Sequence, residues 1–370
     1  MQKWQTLLLC SLCFGLGLLA RPAVSENLSQ QLAVFLQAQQ VIARQALSSP
    51  SSARLMEAAT EGLVTALQDP YSSYLSPENY AALQAEKSGE IAGLGLELAY
   101  RQQQVFVMSV LDNTPAARSR LRAGDRLLKI DGQDISDLSW AEINARLSGA
   151  AGEPVQLEYL QQGQTRSERL IRQALKLEPL RAQQLPAELC YLRISTFLNT
   201  ELQQQVKTSL ESLPNCSQGL IVDLQNNPGG LVQEAVEVAG LLGVQGVIVQ
   251  VVDRRNGVMT LSTQQTAVLP PVPMVVLINQ GTASAAEILA AALQESGRAL
   301  LMGQTSFGKG RVQSLLALED GAGLSLTSAH YLTRRGEDIH QRGLKPDIPV
   351  ISIPGENQAL EQAVRYLRRR

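Results

Sequence analysis

Two side chains in this sequence could do covalent chemistry together. Ser284 lies in Gly281-Thr282-Ala283-Ser284-Ala285-Ala286-Glu287, and Lys309 lies in Phe307-Gly308-Lys309-Gly310. Just upstream of the serine, Met274 to Asn279 is a short apolar, β-branched run that reads as a buried strand. Gln280-Gly281-Thr282 is turn chemistry. Ala285 to Glu295 reads as an alanine-rich helix, with Gly297 placed to end it. Ser284 therefore falls where a strand turns into a helix. The plainest use of a serine there is a cap, since Ser284 and Glu287 fit the capping box. The same geometry suits a nucleophile, because the unpaired N–H groups of a helix start can stabilise an oxyanion. A nucleophile needs a base, and the chain has just two histidines, His330 and His340. Lys309 is the other candidate. Its flanking glycines permit close backbone approach, although a lone Gly-Lys-Gly is otherwise an exposed turn. A lysine is a base only when neutral, and its ordinary pKa is about 10.4. Burial beside the apolar Phe307 and Val312 would lower it. A carboxylate near the ammonium would act the other way, so Glu287 is expected to cap its helix and point away from Lys309.

With both motifs in register, 25 positions apart, and with Gln313 four beyond the lysine, the stretch resembles the carboxy-terminal processing peptidases. These are the tail-specific serine proteases with a Ser-Lys dyad, peptidase family S41. The resemblance implies Ser284 as nucleophile, Lys309 as general base and Gln313 as the residue orienting the lysine. It also identifies Gln225-Asn226-Asn227-Pro228-Gly229-Gly230, between a predicted strand at Gly219–Leu224 and a predicted helix at Leu231–Leu242, as the family's oxyanion loop. The implied donors are the N–H groups of Ala285 and of Gly229, with Gly230 as the second choice. The family often carries arginine where this chain has Gln225, which removes a charge that could brace the loop or communicate with a neighbouring domain.

Residues 88–172 resemble a PDZ domain. Gly93-Leu94-Gly95-Leu96 is similar to the loop whose backbone N–H groups hold a peptide's terminal carboxylate while the peptide adds a strand to the sheet edge. Alone, Gly-x-Gly is usually a turn. Here a strand at Val105–Val110, a helix, tight turn and strand over Asn113–Ala117 and Leu121–Gly132, a groove-lining helix at Trp140–Leu147 and a strand at Val155–Tyr159 follow it. The stretch Asp69-Pro70-Tyr71-Ser72-Ser73-Tyr74 resembles the segment that precedes the regulatory domain in the same family.

The whole chain then reads as an α/β (α+β) multidomain protein, with a ClpP/crotonase-like peptidase core, an inserted PDZ domain and N-terminal helices. Residues 1–25 resemble a signal peptide: Lys3, an apolar stretch from Leu7 to Ala20, and small residues at Ala23-Val24-Ser25. That stretch is short of the roughly 20 residues needed to span a bilayer, and a retained anchor is the alternative. Residues 26–87 read as helical, 173–354 as the peptidase core and 355–370 as a terminal helix ending in three arginines, which suit the negative helix end or a peripheral membrane contact. A formal charge of −2 excludes the basic balance of a nucleic-acid binder. No Cys/His cluster has metal-ligand spacing, so no metal and no cofactor is expected. Cys190 and Cys216 could pair in an exported chain or remain free thiols. The implied partners are proteins with exposed C-terminal tails. In photosynthetic organisms the family includes the peptidase that trims the D1 precursor of photosystem II, which sets periplasm against thylakoid lumen as the compartment. Oligomeric state is left open. Two rivals stand beside this reading: a catalytically inactive PDZ-bearing binding protein on the same core, and a hydrolase using His330 or His340.

Overall fold

The computed structural model describes residues 26–48, 50–86, 92–101, 104–138, 140–175, 178–351 and 357–369. The expected signal peptide, residues 1–25, lies outside the described residues. The chain divides into two compact units, residues 1–63 and 64–370. The first holds helix α1 (Glu26–Gln45) and most of α2 (Ser52–Thr65), as the helical spacing of its apolar residues predicts.

The second unit opens with strand β1 (Ser73–Leu75) and helix α3 (Pro77–Glu86). It continues into β2 (Ala92–Gly93), β3 (Leu96–Arg101), β4 (Gln104–Val110), β5 (Arg126–Ile130), β6 (Gln133–Asp134), α4 (Trp140–Leu147), β7 (Pro154–Gln161), β8 (Gln164–Ile171) and β9 (Gln173–Ala174). Strands β3-β4-β5-β7-β8 form one antiparallel sheet in that order. Strict alternation drives β7: Val155, Leu157 and Tyr159 are wholly buried, and the residues between them face out. Because β3 ends the order, one of its sides is unpaired among the described strands. The helix expected over Asn113–Ala117 is a run of turns instead. Thr114 hydroxyl closes it locally on the carbonyl of Leu111 at 2.7 Å, which favours turn over helix.

The remainder is β10 (Leu180–Leu185), β11 (Leu189–Ile194), α5 (Leu202–Ser212), β12 (Gly219–Asp223), α6 (Val232–Leu241), β13 (Val247–Asp253), β14 (Gly257–Ser262), β15 (Met274–Ile278), α7 (Ala285–Glu295), β16 (Leu300–Gly303), β17 (Arg311–Ala317), β18 (Gly323–Thr333), β19 (Ile348–Pro349) and α8 (Gln358–Leu367). Its main sheet runs β10-β11-β12-β15-β16-β19, parallel from β11 onward. Such a sheet is covered on both faces, so its strands are continuously apolar. Leu220, Val222, Val276 and Ile278 pack with helices α5, α6 and α7. Ile221, Val275 and Leu277 pack on the other face with Ala359, Ala363 and Leu367 of α8. Alanine at 285, 286, 290, 291 and 292, all buried, lets α7 lie close to its neighbours. A second sheet orders β1-β18-β13-β14, with β17 also on β18. Cys190 and Cys216 are joined in a disulfide across 26 positions.

Candidate active site

In an open parallel sheet, loops at the carboxyl ends of the strands form the crevice where ligands bind. Here the loops leaving β12, β15 and β16 meet one another. Ala283 N–H donates to Asn227 carbonyl at 2.9 Å, Phe307 N–H donates to Thr282 carbonyl at 2.9 Å, and Thr282 hydroxyl donates to Leu224 carbonyl at 2.8 Å. These contacts bring Ser284, the Gly229-Gly230 loop and Lys309 into one place.

Ser284 sits immediately before α7 with φ 54° and ψ −121°. A non-glycine residue there carries strain of about 1–3 kcal/mol and persists only where its surroundings over-determine it. The Gly229 loop is part of that support. A Cβ on Gly229 would lie 2.8 Å from both Ala285 nitrogen and Ser284 Cβ, so no side chain fits between the loop and Ser284. Gly229 N–H donates to Asn227 Oδ1 at 2.8 Å and is therefore occupied. Neither Gly230 N–H nor Ala285 N–H finds an acceptor among the described residues. In this arrangement the N–H of Gly230, and not that of Gly229, is open to a ligand.

Asn227, which the sequence offered only as part of a loop, is wholly buried. Its amide nitrogen donates to Ile194 carbonyl at 2.9 Å, so it braces the Gly229-Gly230 loop against the end of β11. Arg193 is the other residue missed. Its guanidinium donates to the carbonyls of Gln225 and Asp223, and to Asp112 Oδ2 at 2.9 Å in the PDZ domain. It also pairs with Asp223 Oδ1 at 3.5 Å. The charge absent at Gln225 is therefore supplied from β11, and it links the loop to the PDZ domain.

Lys309 is partly covered, on the loop between β16 and β17. Burial lowers its pKa, opposed by the negative charges of Glu97 on β3 and of Glu287 on α7. No hydrogen bond joins Lys309 to the Ser284 hydroxyl among the described residues, and catalytic hydrogen bonds commonly tighten only with substrate bound. Gln313 Nε2 donates to Thr327 Oγ1 at 3.3 Å, so its amide engages β18 rather than Lys309. The register shifts between Val312 and Gln313, with Ser328 of β18 as the extra residue, and this sets Gln313 opposite Thr327. Glu287 caps α7 as expected, with Oε2 accepting Ser284 N–H at 2.9 Å. It does not point away from the lysine: the same oxygen accepts Lys309 N–H at 2.9 Å. Of the histidines, His330 lies on β18 opposite Arg311. The His340 ring lies edge-on to Tyr71 at 6.2 Å, and burial lowers its pKa.

The PDZ domain reaches this centre directly. Ala99 on β3 and Met108 on β4 cluster with Ala283, Phe307 and Tyr71. Ser109 hydroxyl donates to Asn226 carbonyl at 2.6 Å. Tyr71 hydroxyl donates to Tyr100 carbonyl on β3 at 2.7 Å, and the Tyr100 ring meets Trp140 of α4 at 4.9 Å. In the Gly93-Leu94-Gly95-Leu96 loop, the carbonyls of Leu94 and Gly95 accept from Ala116 N–H and Leu111 N–H, each at 2.9 Å. In a trans peptide the N–H opposes the carbonyl, so the N–H groups of Gly95 and Leu96 face away from that turn.

A parallel core with a serine at a strained helix start, and a PDZ domain laid over it, is the architecture of a PDZ-bearing serine protease. Comparison with known proteins agrees. Residues 188–350 match the model of peptidase family S41, residues 92–170 a PDZ domain, and residues 19–79 the activating protease CtpB N-terminal domain. The chain is 39% identical over 298 residues to the carboxyl-terminal-processing protease of a Synechocystis strain, covering 78% of this chain and 69% of that one. It is 34% identical over 332 residues to the carboxy-terminal-processing protease of Bartonella bacilliformis, covering 88% and 76%. Among solved structures, a photosystem II D1 C-terminal processing protease matches with a TM-score of 0.76 at 29% identity, over 90% of this chain and 97% of that one. The chain belongs to the carboxyl-terminal processing serine proteases of peptidase family S41, with a PDZ domain.

Proposed function

We propose that this protease docks a substrate's C-terminal tail on its PDZ domain and cuts upstream through Ser284 and Lys309. The observation that carries the reading is the convergence of three strand-end loops on one partly covered site: Ser284 at a strained helix start, free N–H groups at Ala285 and Gly230, and Lys309 with its pKa lowered by burial. Neutral Lys309 takes the hydroxyl proton as Ser284 Oγ attacks the scissile carbonyl carbon. The N–H groups of Ala285 and Gly230 hold the oxyanion. The lysine ammonium then protonates the leaving amine, the C–N bond breaks, and an acyl-enzyme remains. Water, deprotonated by Lys309, releases the acyl group and returns a proton to Ser284. No metal or cofactor is needed for these steps.

Tail docking is supported by the unpaired side of β3 beside α4 and by the two N–H groups of Gly95 and Leu96. A tail antiparallel to β3 would carry its upstream residues past Tyr100. A cavity of about 550 Å³ lies there, lined among others by Tyr71, Tyr100, Arg311 and His340. The PDZ domain also regulates the dyad. Tyr71 occupies the Tyr100 carbonyl that an added strand would need, and Glu97 favours the charged form of Lys309. Tail binding displaces the first and, as β3 shifts, withdraws the second.

Residues 1–25 direct export, to periplasm or thylakoid lumen, and the Cys190–Cys216 disulfide suits such an oxidising compartment. The D1 precursor of photosystem II is the candidate substrate that the structural relative's name suggests. The test is incubation of the mature chain with tailed proteins, a D1-type tail among them, beside a Ser284→Ala control. Cleavage that persists in the control would refute the reading.

A further inference from the structure

Glu287 is wholly buried, yet it is surrounded by donors from four residues. Oε2 accepts Ser284 N–H and Lys309 N–H, each at 2.9 Å. Oε1 accepts Ser306 hydroxyl at 2.5 Å and Gly308 N–H at 2.7 Å. Ser306 Oγ itself accepts Leu344 N–H at 2.6 Å, so its own proton is directed at the glutamate. Every partner donates, which suits the ionised, acceptor-only carboxylate. Burial raises its pKa on balance against the four hydrogen bonds, but a protonated carboxyl would aim its own O–H at a donor, so the ionised form is the one the surrounding donors fit. A capping box explains just one of them, the bond to Ser284 N–H. The other three reach across 19 to 22 positions to the loop that carries the lysine.

We propose that Glu287 is a positioning residue for proteolysis: its carboxylate ties the backbone of Ser284 to the backbone of Lys309 and so fixes the register between nucleophile and base. This rests on the reading of those two residues as the dyad. The strained φ of Ser284 needs such support, and its N–H is one end of the tie. The lysine loop needs it too, because its Gly308 and Lys309 N–H groups would otherwise be left without partners under cover. The arrangement has an electrostatic consequence. Two carboxylates act on Lys309, Glu287 from α7 and Glu97 from β3, and both favour its ammonium form. Of these, Glu287 is kept in place by its four bonds whatever the PDZ domain does.

Glu287→Gln preserves shape but presents an NH2 group to two donors, whichever way the amide turns. The experiment compares wild type, Glu287→Gln, Ser306→Ala and Lys309→Ala. Fluorophosphonate titration counts competent sites, and cleavage of a tailed peptide is then followed against pH, per titrated site. The expected result for Glu287→Gln is a kcat about 100-fold lower per titrated site, since small misplacements of reacting groups cost that much. KM should stay within about threefold, because the tail is held elsewhere. The pH midpoint of the residual activity should lie below that of wild type, a negative charge having been removed. A role in stability alone would reduce the count of competent sites and leave the rate per site at wild type; that result overturns the proposal, as does an unchanged or higher midpoint. If Glu287→Gln does not fold, Ser306→Ala decides. Losing one of four donors should lower kcat about three- to tenfold, and a wild-type kcat overturns the tie. Lys309→Ala that is labelled and cleaves like wild type refutes the dyad itself, separately from Glu287.

Discussion

Removing one hydroxyl should tell whether the PDZ domain holds the protease closed. In the structure Tyr71 is buried among Ala99, Met108, Ala283 and Phe307, and its hydroxyl meets Tyr100 carbonyl at 2.7 Å. Tyr71→Phe keeps the ring and removes that bond. An intramolecular hydrogen bond of this kind contributes about 0.5–1.5 kcal/mol net. The closed arrangement loses this amount, while an arrangement with β3 shifted away loses nothing, because its carbonyl meets solvent or a docked tail. The closed-to-open ratio should therefore fall about two- to twelvefold, centred near fivefold for 1 kcal/mol. The assay is hydrolysis of a short peptide with no docking tail, where the open fraction limits the rate. Basal activity should rise by about that factor. On a tailed substrate at saturation the gain should shrink toward unity, because the tail already displaces Tyr71. An unchanged or lower basal rate in folded Tyr71→Phe, with Ser284 titrating fully, would refute the coupling.

Other outcomes follow from the same geometry. Ser284 acylation should rise with pH as Lys309 loses its proton, with a midpoint below the free-lysine value of about 10.4, because burial disfavours the ammonium. Glu97→Gln removes a charge that favours the ammonium, so the midpoint should move lower still; a higher midpoint would show that Glu97 does not act on the lysine. Lys309→Arg should be inactive, since arginine does not deprotonate in proteins, and measurable turnover by that variant would sink the dyad. Gly230→Ala should fail to cleave, because its Cβ would fall 2.3 Å from the Phe197 carbonyl carbon; wild-type turnover would remove Gly230 from the oxyanion site. Amidating the substrate's C-terminus should weaken binding, and equal binding of free and amidated peptides would overturn the role of the Gly93–Leu96 loop. Reducing Cys190–Cys216, which spans 26 positions, should cost about 3.5 kcal/mol by loop entropy, read as a lower denaturation midpoint.

What was legible in the sequence was what is local. The run Met274–Asn279 and the alanine-rich stretch after it define strand β15 and helix α7 with Ser284 between them, because period and turn chemistry act over a few residues. The PDZ strands were legible by the same alternation. What was not legible depends on where distant loops return. Whether Glu287 faces the lysine loop is decided by contacts some 20 positions away, and no local rule contains them. Gln313 meets Thr327 because β18 carries an extra residue, Ser328, at the register shift, which strand periodicity cannot foresee. The availability of Gly230 over Gly229 turns on a single Asn227 side chain. Arg193 could have been suspected, as a charged residue within an otherwise apolar strand, but its role needed the sheet that sets β11 beside β12.

The open side of β3 has a consequence for how this protein behaves in a concentrated solution. A strand with unpaired N–H and C=O groups will pair with any extended chain, including the same strand of another molecule. Tyr71 covers one of those carbonyls and the Tyr100–Trp140 contact narrows the approach. On the proposed reading, the contacts that would keep a tail out would also keep other copies of the protein out. A variant freed of its restraint would trade latency for stickiness, and its gain in turnover would be partly spent on self-association.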